Sequence, residues 1–414
     1  MTVMIIDDEQ TSGAKSSRGS VRAKAGVEAP ADPIVPTYEG DSVLEGDFQL
    51  ECGRVLREPA LHYAVYGRLN EARDNVVGVF HALSGSALVA SWWPGLFGSS
   101  ELAGRKSRQR SDLPEGEALV EPIVDLRRDC VVCVNLLGSC YGSTGPGSLD
   151  PETGQVYGPD FPLISIRDNV RAQARVLDSL GIRKLKLAIG GSIGGMQALE
   201  WAILFPERVE RAAIIAVAPL SAMGLALNHL QREAIQNDPD WKGGLYTAQH
   251  PPRRGLAQAR QIGMLSYKSA ALFEERFGRN PNRNGEDPWL LADHGGGLTG
   301  GRFDVAGFLD YQGDRFLQRF DANAYLAILR TMDTWEPARG FSTAGEAYGR
   351  IQARLTFVGI SSDWLFPSRD VRRLAEDVRA AGASAEYREM NTDHGHDAFL
   401  AEQAELVRLL HLID

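Results

Sequence analysis

The sequence predicts an α/β fold, with a mostly parallel central sheet, helices on both faces and an inserted helical lid. Three observations predict it. Short apolar runs alternate with helix-periodic stretches from about residue 47 onward. The alternation stops between about 219 and 345, where the pattern is helical only, and resumes at Leu355. One apolar run, Leu185 to Ile189, leads directly into Gly190-Gly191-Ser192-Ile193-Gly194, and a helix-like run from Ile193 to Leu204 follows.

The chain has 414 residues, enough for one large core with an insertion. Residues 1–40 are rich in Ser, Ala, Gly, Pro and charge without periodicity, and are expected to be a disordered arm. The core domain is expected over 41–218 and 346–414, and the lid over 219–345. Strands are expected at Leu61 to Tyr66, Asn75 to Phe80, Cys130 to Asn135, Leu185 to Ile189 and Ala212 to Val217. Lid helices are expected at Ala222 to Asn237, Leu256 to Ser269 and Ala322 to Met332. A helical block between strands of one sheet sits over the strand ends. Two further strand-like runs, Leu355 to Ile360 and Ala385 to Glu389, complete the sheet.

The spacing at 190–194 is G-x-S-x-G, and the strand before it and helix after it are the context of a nucleophile elbow. Small neighbours let the backbone turn sharply and push the serine hydroxyl out of the sheet. The new helix brings its N-terminal amides near a developing oxyanion. A bare G-x-S-x-G in a chain with 44 glycines is otherwise an ordinary turn, so the flanking elements carry the reading.

Such a serine needs a base, and the base an orienting acid, in the chain order Ser, Asp or Glu, His. The run ending at Ile360 is followed by Ser361-Ser362-Asp363, an acid just past a strand end and so at the ligand-binding edge of the sheet. The last strand leads to Asp393-His394-Gly395-His396-Asp397. Either histidine could serve as base. His396 is chosen because Gly395 frees its loop backbone and a helix starting near Asp397 would hold it. Singly, Asp363 and His396 read as turn and loop residues; their order after separate strand ends makes them a constellation.

A net charge of −10 argues against nucleic acid or an anionic membrane as partner. No apolar run reaches the roughly 18 residues of a membrane-spanning helix. The N-terminus carries Asp7, Asp8 and Glu9 where a signal peptide needs bases, so a cytoplasmic location is expected. Four cysteines are too few for a disulfide framework, and Cys130 and Cys133 should alternate across one strand. No metal is expected. The Asp393–Asp397 cluster cannot close on one ion, and no other His-rich segment supports it. The polar stretch 101–122, with Arg105 to Arg110, reads as a solvated loop or a basic rim for an anionic substrate. His294-Gly295-Gly296-Gly297 mimics an oxyanion loop but falls after the elbow, inside the lid, and is rejected as one.

The stretch from Gly190 through Gly195-Met196-Gln197-Ala198-Leu199-Glu200-Trp201 closely resembles the nucleophile segment of homoserine O-acetyltransferases. So do His81-Ala82-Leu83-Ser84-Gly85, Gly138 to Pro146, Asp160-Phe161-Pro162, Asp238 to Gly244, Arg319 to Leu326, Ser362 to Pro367 and Gly395 to Leu400. The resemblance spans about residues 45 to 412. It implies an α/β-hydrolase fold with a helical lid, a homodimer formed through that lid, and no cofactor. It implies acyl transfer from acetyl-CoA to the side-chain hydroxyl of L-homoserine in methionine biosynthesis. The family's triad maps onto Ser192, Asp363 and His396, its oxyanion positions onto Ser84 and Ile193, and its substrate-binding positions onto Arg260, Tyr267 and Asp397. Arginine can clamp a carboxylate, and Asp397 can pair with an ammonium. Many members read His-Ala-Leu-Thr-Gly-Asp where this chain has Ser84 and Ser86, and the 101–122 loop and the run Gly295 to Gly301 look like additions. Members of the wider family use succinyl-CoA, or accept serine or deacetylcephalosporin, so donor and acceptor stay open. An esterase or thioesterase of the same fold, and a catalytically dead binding module, are the alternative readings.

Overall fold

In the computed structural model of the chain, the described residues are 34–97, 122–283, 287–289 and 301–411. The chain runs through β1 (Tyr38–Val43), β2 (Asp47–Gln49), β3 (Val55–Arg57), β4 (Ala60–Gly67), β5 (Val76–Phe80) and β6 (Cys130–Val134). Then come α1 (Ile166–Ser179), β7 (Leu187–Gly191), α2 (Ile193–Leu204) and β8 (Arg211–Ile215). Next are α3 (Ala222–Gln236), α4 (Arg253–Ser266), α5 (Ala270–Arg276), α6 (Asp304–Phe316), α7 (Ala322–Asp333) and α8 (Ala344–Gly349). Last are β9 (Arg354–Ile360), α9 (Ser368–Ala380), β10 (Ala385–Met390), α10 (Ala398–Ala401) and α11 (Gln403–His411).

Eight strands form one sheet in the order β1-β4-β6-β5-β7-β8-β9-β10. From β6 to β10 all pairings are parallel, while β4 is antiparallel to both β1 and β6. The run Leu61 to Tyr66 is therefore a strand, but not one of the parallel set. Nor does the expected arm extend to residue 40, because β1 begins at Tyr38 and pairs with β4. Residues 1–33, the loop at 101–121 and most of the run Gly295 to Gly301, with His294, lie outside the described residues.

Side chains alternate across the sheet as strand geometry requires. Cys130, Val132 and Val134 belong to the buried cluster that includes α1 and α2, whereas Val131 and Cys133 belong to the one that includes Trp93, Phe399 and Leu406 on the other face. The two cysteines thus point apart, and burial pushes the Cys130 thiol up to about 11 and Cys133 higher still. Helix α2 is buried from Ile193 to Ile203, which suits its apolar sequence. Helix α9 buries only Val371, Leu374, Ala375 and Val378, the stripe of an amphipathic surface helix.

The strands β8 and β9 are neighbours in the sheet, so the chain leaves at Ile215, builds α3 to α8, and returns beside where it left. Helix α4 packs between α3 and α6, and α3 also meets α7. Ser221 and Asp321 cap α3 and α7 through their side chains. Leu227, Leu256, Phe316 and Tyr325 of the lid belong to the same buried cluster as Met196 and Phe357. The lid is thus packed onto the core rather than cored separately. Its expected end at residue 345 falls inside α8.

Register aligns the strand ends. Phe80 pairs with Gly190, Gly191 with Ile215, Ile215 with Val358, and Ile360 with Met390. The segments leaving these strand ends therefore converge on the C-terminal edge of the parallel strands.

Candidate active site

Gly190 and Gly191 are the last residues of β7, and Ser192 is the single residue between that strand and α2. Its φ is 58°, a left-handed conformation that an L side chain adopts only when its surroundings impose it. The surroundings here are backbone against backbone. A Cβ on Gly190 would lie 2.3 Å from the carbonyl carbon of Gly194, and one on Gly194 would lie 2.1 Å from the Phe80 carbonyl oxygen. Only glycine lets α2 start this close to β5 and β7. Ser192 N–H still donates to Ile215 O at 2.9 Å, so the serine is anchored to β8 while its chain direction reverses.

The N–H of Ile193, first residue of α2, and that of Ser84, just beyond β5, donate to no acceptor among the described residues. The Ser84 carbonyl accepts 2.8 Å from Arg319, whose guanidinium also donates to Tyr141 Oη at 2.6 Å. Arg319 is a lid residue ahead of α7. The resemblance includes its segment, but nothing in the sequence pattern gave it a partner.

Asp363 follows β9. Its Oδ1 accepts the N–H groups of Leu365 and Phe366, each at 2.9 Å, and its Oδ2 lies 2.6 Å from His396 Nδ1. Two backbone donors on one oxygen keep this carboxylate an acceptor. The Nδ1 must then be the donor, which leaves Nε2 as the lone-pair nitrogen of neutral His396. Burial pushes the His396 imidazole down, but the Asp363 charge and hydrogen bond outweigh it, so the pKa is raised. Asp397 adds to the rise and Lys268 opposes it. The ring is wedged among Phe366, Tyr267 and Phe399 at centroid distances of 5.3, 5.9 and 5.9 Å.

The loop carrying His396 is shaped by the lid. Gly395 has a φ of 88°, and a Cβ there would lie 2.6 Å from Ser269 N. Tyr267 O accepts from Asp397 N at 3.1 Å, Ser269 Oγ donates to Asp393 O, and Trp364 Nε1 donates to Lys268 O at 3.0 Å. The three residues after α4 thus grip both the aspartate loop and the histidine loop. Helix α4 ends at Ser266, earlier than expected, and this frees Tyr267 to Ser269 for that role.

Tyr267 and Asp397 lie beside His396, and Arg260 reaches this group through the Tyr267 ring. The Arg260 guanidinium lies over the Phe316 ring at 4.9 Å and the Tyr267 ring at 5.7 Å, and its buried Nε has no hydrogen-bond partner. Among the described residues no carboxylate forms an ion pair with it. Asp397 stands where a helix was expected to start. It occupies the N-cap position of α10 but makes no side-chain cap bond. Its carboxylate instead lies 3.3 Å from Lys268 Nζ. Lys268 is itself buried and also reaches His394 Nε2 at 3.1 Å. Sequence reasoning missed Lys268, since a lone lysine after a lid helix carries no signal. His394, the other candidate base, is thereby engaged with Lys268, with its Nδ1 3.8 Å from Glu402.

The chain matches the family described as having the α/β hydrolase fold over residues 94–402. It is 44% identical to a homoserine O-acetyltransferase of Symbiobacterium thermophilum, over 89% of this chain and 93% of that protein. It is 40% identical to a homoserine O-succinyltransferase of Alkalilimnicola ehrlichii, over 90% of this chain and 93% of that one. A crystal structure of homoserine O-acetyltransferase from Bacillus anthracis superposes with a TM-score of 0.75 at 24% identity, over 90% of this chain and 96% of that one, and shares the fold. Among the described residues no helix is long and apolar enough to cross a membrane.

Proposed function

This chain belongs to the homoserine O-acetyltransferase family, and we propose that it moves an acetyl group from acetyl-CoA to the side-chain hydroxyl of L-homoserine. The observation that carries the reading is the strained Ser192 on the same sheet edge as the Asp363–His396 pair. In the first half-reaction His396 Nε2 takes the Ser192 proton, and Oγ attacks the thioester carbonyl. The N–H groups of Ser84 and Ile193 hold the oxyanion. The tetrahedral intermediate collapses, the C–S bond breaks, and CoA leaves with the proton from His396. In the second half-reaction His396 takes the homoserine hydroxyl proton, the hydroxyl oxygen attacks the acyl-enzyme, the ester bond to Ser192 Oγ breaks, and Oγ takes the proton back from His396.

The substrate side follows from charge. Arg260, stacked on two rings with a buried unpaired Nε, suits the homoserine carboxylate. Asp397 suits its ammonium, in exchange with Lys268. The lid's grip on the histidine loop supports its exclusion of water, without which the acyl-enzyme would hydrolyse. Exposed Met223, Leu230, Leu265 and Tyr311 on lid helices support a homodimer through the lid. A place in methionine biosynthesis, in the cytoplasm, fits this chemistry. Succinyl-CoA is the second reading for the donor, favoured by the succinyltransferase relative.

The deciding experiment incubates the protein with acetyl-CoA or succinyl-CoA against homoserine or serine and identifies products by mass. O-acetylhomoserine is the expected product. Thiol release at the same rate with and without acceptor, giving free acid, would make the protein a hydrolase instead.

A further inference from the structure

Behind the elbow lies a chain of buried amides that the reaction does not touch. Trp201, Gln173 and Gln197 are all 1% exposed or less. Trp201 Nε1 donates to Gln173 Oε1 at 3.0 Å, and Gln173 Nε2 donates to Gln197 Oε1 at 2.7 Å. Gln197 Nε2 then donates to Ile193 O at 3.1 Å and, more weakly, to His81 O at 3.4 Å.

The direction of this chain is not arbitrary. An indole N–H can only donate, so Gln173 must present its oxygen to Trp201 and its NH₂ to Gln197. Gln197 must then accept with its oxygen and donate with its NH₂. Both amide orientations are thereby set by Trp201. The two carbonyls at the end belong to the two walls of the oxyanion site, Ile193 opening α2 and His81 opening the loop to Ser84. His81 is itself locked. Its Nε2 accepts from Leu136 N at 3.1 Å, so its Nδ1–H donates to Ala82 O at 2.9 Å. Burial pushes its pKa down to about 4, which keeps the ring neutral.

We propose that the Trp201–Gln173–Gln197 relay is a positioning device that fixes the separation of the Ser84 and Ile193 N–H groups. It rests on the reading of those groups as the oxyanion donors. Neither Gln197 nor its partners touch substrate, and their effect passes through backbone carbonyls. Gln197→Met removes both donated bonds at nearly constant volume. Because both half-reactions use one oxyanion hole, thiol release and transfer to homoserine should slow by the same factor, about tenfold to a hundredfold, with KM for homoserine within about twofold.

The paired variant Gln173→Leu/Gln197→Leu separates positioning from packing. Replacing both amides by apolar groups removes the Gln173–Gln197 bond at both ends and leaves only the Trp201 N–H without its acceptor, so the melting temperature should recover in part. The rates should not, because the two carbonyls still lack the side-chain amide that links them. Equal recovery of rates and stability would overturn the inference, as would native rates in Gln197→Met or a loss confined to KM. Should Gln197→Met fail to fold, Trp201→Phe and Gln173→Met serve in its place, with smaller losses expected in both half-reactions and native rates in both overturning the relay. If Ser192→Ala releases thiol as fast as the parent protein, the oxyanion reading fails and the relay falls with it.

Discussion

Two walls of the candidate site are built from different materials. The wall of Ser84, Ser192 and Ile193 is backbone, held by neutral amides and by glycines that let strands and helix nearly touch. The wall of Arg260, Lys268 and Asp397 is charged side chains, carried partly on the lid, with His394 against Lys268. A backbone wall is rigid because nothing in it has rotamers to lose. A charged wall can exchange partners, because one ammonium replaces another at a carboxylate at little net cost. The first suits the step common to every acyl transfer, and the second suits the choice of acceptor.

Variants should sort along that division. The largest effect is expected for Ser192→Ala, which should abolish thiol release and transfer by on the order of 10⁴-fold or more with the fold intact. Retention of more than about a tenth of the activity would show that the backbone wall serves some other nucleophile. Asp363→Asn should cost about 10⁴-fold in kcat by favouring the wrong imidazole tautomer. It should also move the acid limb of the pH–rate profile. Only neutral His396 accepts a proton, so activity falls as pH drops through its pKa, which Asp363 holds above the ordinary 6.5. Without that carboxylate, burial dominates and the limb should move to lower pH. A limb that stays in place would assign it to another group.

On the charged wall the effects should be smaller, and for Arg260 confined to the acceptor. Arg260→Ala should raise the KM for homoserine, by about 2–5 kcal/mol of lost binding if the pair is desolvated, and leave CoA release unchanged. Stopped-flow thiol detection distinguishes this from a role toward CoA, in which release itself would slow. Lys268→Met should do least. Its ammonium lowers the His396 pKa, so its removal should shift the acid limb upward. A downward shift would mean that the Lys268–His394 contact, and not its charge at Asp397, governs the histidine loop.

The sequence made the strand–turn–helix around Ser192 legible to the residue. Helix α2 spans Ile193 to Leu204 as its pattern predicts, and the acid and base lie after the strands expected to carry them. These features are local: a strand, a glycine turn and a buried helix each write their own period into the chain. What the sequence did not determine is how distant segments meet. The antiparallel pairing of β4, the capture of Asp397 by Lys268, the hold of Arg319 on Ser84 and the amide relay each join residues far apart in the chain. Periodicity reports which face of an element is buried, not what another element brings to it. A lone lysine, arginine or glutamine has no period at all, so its partner was decided only when the lid and sheet packed together.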